Sequence, residues 1–183
     1  MAKVFDSLLG DFETLKYSTP SEYVQRYWNA YKSKDISNNN LNWKVFELIL
    51  WTLLYREWII PLYIWAKVAF VPNVVYDLMY YSKECGPICL SAKTTLRERY
   101  KQADLEAIAL KYVHRKAKAY LITLDAWEAL ANKRKIEKWD IIWLDDVIVA
   151  TSNEFDVLIN LLKNLKLSVA PEIQVIQAQS IIL

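Results

Sequence analysis

The chain is 183 residues long and 54% apolar, enough for one compact domain with a sizeable core and a tight fit for two. Its formal net charge is only +2, so contact with nucleic acid would have to come from local clustering of basic residues. Two glycines with no GxGxxG or Walker-type run argue against a nucleotide cradle, and a single histidine, His114, argues against HNH nuclease, Ser-His-Asp hydrolase and Cys-His protease chemistry.

Any catalysis must then run on carboxylates and lysine. Cys85 and Cys89 form a lone CxxxC, short of the four ligands of a structural zinc site, and read as reduced core or turn residues. Met1 to Asp6 carry no charged-then-apolar signal pattern. The most hydrophobic stretch, Trp43 to Val71, is broken by Lys44, Glu47, Arg56, Glu57 and Lys67. The expectation is a cytoplasmic protein with no membrane span and no nucleotide cofactor.

In chain order, Phe5 to Tyr17 and Ser21 to Lys34 read as amphipathic helices, the second with Ser21 as N-cap after Pro20. Ser37 to Asn40 is a polar break, and from Leu41 a helical period in Trp43, Phe46, Leu50, Leu53 and Leu54 runs to about Glu57. The apolar runs Leu62 to Phe70, Val74 to Tyr81 and Pro87 to Ala92 predict three consecutive antiparallel strands, because their links are too short for crossover helices. Thr95 to Lys116 is a predicted long helix, Ala119 to Leu124 a strand and Asp125 to Lys138 a helix. Trp139 to Ala150 supplies a strand or two, and Ser152 to Lys166 a helix capped by Ser152. Strands alternating with helices imply parallel crossovers, so the expected class is α/β, a mixed β-sheet flanked by helices. A single domain spans 1–183, with a helical region at 1–40, a core at 41–166 and an apolar tail at 167–183 that packs on the body or on a partner chain.

Asp77 in the second strand and Lys93 at the end of the third can meet where adjacent strands end, with Ser91 two residues before the lysine. Phosphodiester hydrolysis needs that pairing: carboxylates for a hard divalent cation, here Mg²⁺, and a lysine near the attacking water and the scissile phosphate. Lys93, Arg97, Arg99, Lys101, Lys111, Arg115, Lys116 and Lys118 cluster in one stretch, as a DNA-facing surface or a solvated helix face.

The run from Ser91 to Glu106, SAKTTLRERYKQADLE, resembles the catalytic segment of type II restriction endonucleases of the EcoRII, PspGI and SsoII group, relatives of the NgoMIV and Cfr10I enzymes. In that group the usual PD-(D/E)xK acid is displaced into the following helix. The resemblance covers roughly 70–118 and implies a restriction-endonuclease-like fold with an active centre of Asp77, Lys93 and Glu106. Ser91 then stands at the vacated position, and Asp77 and Glu106 hold Mg²⁺. No proline precedes Asp77, and its interval to Lys93 is short for the group, which leaves Glu84 as an alternative carboxylate. Glu47, in the helix before the sheet where such nucleases often carry an acid, faces either the active centre or the surface. Arg99, Gln102 and Glu106 share one helical face, turned to the strand ends or to solvent, while Leu105, Ile108, Ala109 and Tyr112 form another suited to the sheet.

Arg97, Glu98, Arg99 and Gln102 lie where the group contacts DNA. Arginine can donate twice to guanine and glutamate can accept from cytosine, although an Arg-Glu ion pair at a helix start is the alternative. The implied function is sequence-specific, Mg²⁺-dependent cleavage of double-stranded DNA by a homodimer at a short G·C-rich palindromic or pseudopalindromic site of the CCGG, CCNGG or CCWGG type. A repair or recombination nuclease of the same fold, or a non-catalytic DNA-binding module, are the rival readings.

Overall fold

The computed structural model describes residues 7–34, 38–171, 175–177 and 179–183. Residues 7–9 are helical, but Gly10 at φ +77° turns the chain out, and Asp11 closes a short turn by accepting from Glu13 N. The helix expected from Phe5 to Tyr17 therefore does not run through, and its first residues lie outside those described. Helix α1 (Pro20–Lys32) is capped by Thr19, not Ser21: Thr19 Oγ1 accepts from Glu22 N at 3.2 Å. Ser21 instead docks the helix, its N and Oγ donating to Asp156 at 2.7 and 2.8 Å. Helix α2 (Asn39–Arg56) starts earlier than expected, because Asn38 caps it by accepting from Leu41 N at 2.9 Å.

Strands β1 (Leu62–Val68), β2 (Tyr76–Ser82) and β3 (Gly86–Lys93) form the expected antiparallel meander. β1 stops short of Phe70, which lies in the left-handed region at φ 64°, as does Asn73 at φ 61°. The chain then alternates α3 (Arg99–Val113), β4 (Lys118–Thr123), α4 (Ala126–Glu137), β5 (Asp146–Val149) and α5 (Asn153–Asn164). β3, β4 and β5 are parallel, so the mixed α/β sheet is as anticipated. The tail packs on the body as two short strands that the sequence pattern does not announce. β6 (Val175–Gln177) and β7 (Ser180–Ile182) both pair antiparallel with β1.

The sheet buries both faces. Tyr23 from α1, Phe46 and Leu50 from α2, and Phe155 and Ile159 from α5 pack with Leu78, Leu90 and Ile122. Ala103, Ala107 and Leu110 from α3 and Ala129 from α4 pack with Met79, Cys89, Leu121 and Val147. Each large aliphatic side chain so buried contributes about 1.5–3 kcal/mol.

Two expectations about α3 need correction, and a third, for Trp139 to Ala150, is narrowed to one strand. α3 is shorter than Thr95 to Lys116, because the Glu128 carboxylate takes the N–H groups of Leu96 and Arg97, and Arg97 sits at φ 33°. Its sheet-facing stripe is Ala103, Ala107 and Leu110, whereas Leu105 and Tyr112 are 67% and 86% exposed. The two small alanines let α3 approach β3 and β4 closely. Only 146–149 of the stretch from Trp139 to Ala150 is a strand, since Asp104 accepts from Trp143 N and Leu144 N at 2.8 and 3.0 Å and holds the preceding residues as a loop.

Candidate active site

The site forms where the β2–β3 hairpin opens. Asp77 is the second residue of β2 and Lys93 the last of β3, so antiparallel pairing brings both to one end. Glu84, the alternative carboxylate, sits in the turn at the other end. Lys93 Nζ donates to Asp77 Oδ2 at 2.8 Å, Ala92 N donates to the same oxygen at 2.8 Å, and Ser91 Oγ approaches it at 3.4 Å. Ser91 thus supports the acid without adding charge.

On the other side of Asp77 the register sets Ile64 against Leu78 and Ala66 against Tyr76, which places Trp65 across from Asp77. Trp65 has φ 52°, a conformation that costs a bulky residue about 1–3 kcal/mol. Its indole Nε1 donates to Glu47 Oε2 at 3.1 Å. Glu47 is only 7% exposed, and of its two expected orientations it takes the inward one. With Trp43, Asp77, Ala92, Lys93, Arg99 and Gln102 it lines a cleft of about 310 Å³.

Glu106 is half-buried on α3. Its Oε1 accepts from Gln102 Nε2 at 2.8 Å, and its backbone carbonyl accepts from Tyr76 OH at 3.0 Å. Burial raises its carboxyl above the usual range, as does the Asp77 charge to a smaller degree, against the Lys93 charge and the Gln102 hydrogen bond. Burial, then the Asp77 charge, pushes Glu47 up to about 8, opposed by the Trp65 hydrogen bond and by Lys93 and Lys44. The Asp77 charge thus raises both neighbouring carboxyls, and the Lys93 charge opposes it at each.

That arrangement gives a pH dependence to folding. The Glu47 carboxyl titrates near 4.5 when unperturbed and near 8 when folded, so its share of stability is full below about 4.5 and is lost as pH rises through 8. The slope is up to about 1.4 kcal/mol per pH unit. Glu47→Gln is expected to flatten it, measured as denaturant midpoints between pH 5 and 9. An equally steep decline in the variant would place the source elsewhere.

Each carboxylate has one oxygen engaged and one, Asp77 Oδ1, Glu47 Oε1 and Glu106 Oε2, that no donor among the described residues reaches. Among the described residues no three acid, cysteine or histidine side chains close on one metal-sized point. Mg²⁺ does not need three, because it keeps several waters and is bound by one or two carboxylates together with phosphate oxygens. The donor set fits such an ion.

Arg97, Glu98, Arg99 and Gln102 are exposed, with Arg99 and Gln102 in the wall of the cleft. Glu98 pairs with Lys101 rather than with an arginine. Lys111 and Lys118 leave the basic cluster, both being held by Asp145 at 2.7 and 3.0 Å. The cysteines are free, and burial pushes the Cys89 thiol up, away from thiolate chemistry. Trp65, Trp43 and Glu128 join the site without a sequence motif to mark them. A buried glutamate on α2 demands a donor, and that requirement is the one available signal for the Trp65 indole.

An antiparallel meander leading into parallel crossovers, with an acid on the second strand and a lysine ending the third, is a restriction-endonuclease-like α/β fold. No family model matches the chain, and no curated protein matches it. A solved structure described as restriction endonuclease PspGI in complex with substrate DNA is similar to it, with a TM-score of 0.51 and 20% identity over 88% of this chain and 75% of that one. Among the described residues no helix is long and apolar enough to cross a membrane.

Proposed function

We propose that this chain is a Mg²⁺-dependent, sequence-specific endonuclease of double-stranded DNA, acting as a homodimer of the type II restriction kind. The observation that carries this reading is the 2.8 Å Asp77–Lys93 contact at an open hairpin end, with the carboxylates of Glu47 and Glu106 near enough to feel both charges. Asp77 and Glu106 would hold the metal, which supplies Lewis-acid charge at the scissile phosphate and lowers the pKa of bound water. Lys93 orients the phosphate and the attacking water. Glu47, with its raised pKa, holds or releases a proton at its free oxygen and keeps the Trp65 wall in place. Arg97, Glu98, Arg99 and Gln102 contact DNA beside the cleft, Glu98 and Arg99 having the acceptor and donor chemistry for a G·C pair. The short G·C-rich site of the CCGG, CCNGG or CCWGG type rests on the resemblance of Ser91 to Glu106. Digestion of a mapped plasmid with Mg²⁺ tests the reading. Discrete fragments with uniform ends are the expected result. Structure-dependent nicks would turn it into a repair or recombination nuclease, and intact DNA that is bound but never cut would end the catalytic assignment.

A further inference from the structure

A second cleft, of about 300 Å³, opens next to the first. It is lined by Trp28, Lys32, Asn42, Thr94, Thr95, Arg97 and Arg99. Arg99 lines both clefts, and Thr94 directly follows Lys93. Four elements build it: α1 gives Trp28 and Lys32, the first turns of α2 give Asn42, the loop after β3 gives Thr94, Thr95 and Arg97, and α3 begins with Arg99.

Its chemistry is one-sided. Lys32, Arg97 and Arg99 are cations, Thr94 and Thr95 carry hydroxyls, and no carboxylate is among the lining residues. Asn42 Oδ1 already accepts from Tyr31 OH at 2.9 Å, which leaves its NH₂ group to donate. Glu128, the acid that holds this loop, is engaged by the backbone N–H groups of Leu96 and Arg97 on its own side. Neither Arg97 nor Arg99 has an ion-pair partner among the described residues.

We infer that this cleft seats a phosphodiester group of the DNA backbone one or two nucleotides from the scissile one, with Lys32 and Arg97 as its main cations. The inference rests on the nuclease reading for its ligand. Two residues of chain span at most about 7 Å, and nucleotides in a strand rise about 3.4 Å each, so Thr95 lies within about two nucleotides' rise of Lys93. A seat whose charged side chains are all cations, with hydroxyls that can donate beside them and no carboxylate in its lining, suits an anion. Arg97 is thereby assigned to the backbone rather than to a guanine.

The test is binding of a random-sequence duplex of about 20 base pairs in Ca²⁺, across a salt series, with Lys32→Gln and Arg97→Gln. Both residues are exposed, and circular dichroism melts would confirm that the variants fold. Each variant is expected to weaken binding to random DNA by about 3- to 10-fold and to flatten the log–log salt slope by about 0.9, as follows when one phosphate is no longer neutralised. Unchanged affinity for random DNA, or a weakening seen only on the sequence that the wild type cuts, would overturn the phosphate seat while wild-type cleavage stands. A wild-type chain that neither binds nor cuts duplex DNA would overturn both readings together.

Discussion

Lys93→Ala is expected to reduce DNA cleavage by on the order of 10³-fold, because it removes the one cation that contacts Asp77 among the described residues. It should also lower stability. The Lys93 and Asp77 side chains are 12% and 16% exposed, and removing one member of a buried pair leaves the other charge uncompensated, at a cost of about 3 kcal/mol. The two effects separate in the double variant Asp77→Asn/Lys93→Met, which replaces the pair by uncharged groups of similar shape. Stability should return towards wild type while cleavage stays absent. Recovery of cleavage in that double variant would show that neither charge takes part in the chemistry. Glu106→Ala should abolish cleavage with little change in melting, since its side chain is bonded only to Gln102 among the described residues. Ser91→Ala should be mild on both counts, because its 3.4 Å approach to Asp77 is weak and Ala92 N still holds the acid.

Asp145→Ala should be among the most destabilising single substitutions, by about 3–5 kcal/mol in urea unfolding. Asp145 accepts from Lys111 Nζ at 2.7 Å, Lys118 Nζ at 3.0 Å and Ala119 N at 2.7 Å. Lys111, 15% exposed, would be left with the Trp143 carbonyl alone. Since Lys111 ties α3 to the edge of the parallel half of the sheet, and Glu106 lies on α3, cleavage should fall as well, with amide exchange rising along α3. Asp145→Asn keeps an acceptor for Ala119 N and should cost less than half as much. Equal stability of both variants and wild type would mean that packing of Ala103, Ala107 and Leu110 alone fixes the helix.

Much of this architecture is legible because it rests on local physics. Short links between Leu62 and Ala92 permit only hairpins, and helix-length segments between later strands give room for parallel crossovers. That geometry by itself brings Asp77 and Lys93 together. What is not legible depends on distant partners. The face of α3 reads wrongly because Leu105 and Tyr112 look like core by size, whereas the sheet admits the smaller Ala103 and Ala107. The start of α3 depends on Glu128 capturing Leu96 and Arg97 from a separate helix, which no spacing announces. The orientation of Glu47 stays open at the level of sequence because its partner, Trp65, takes a left-handed backbone that is rare for a bulky residue inside a strand.

The C-terminal strands complete one side of the molecule. β7 pairs with Leu62, Tyr63 and Ile64, and β6 with Lys67 and Val68, so between them they cover one long flank of β1. Without them that flank would present a row of unpaired N–H and C=O groups on a strand of mostly apolar residues, a template for edge-to-edge aggregation. The covered flank also backs Trp65, and through it the Glu47 wall of the cleft. β6 and β7 therefore act as a protective hem, and a chain ending before residue 175 is expected to expose the β1 edge and to loosen the Trp65 side of the cleft in the same step.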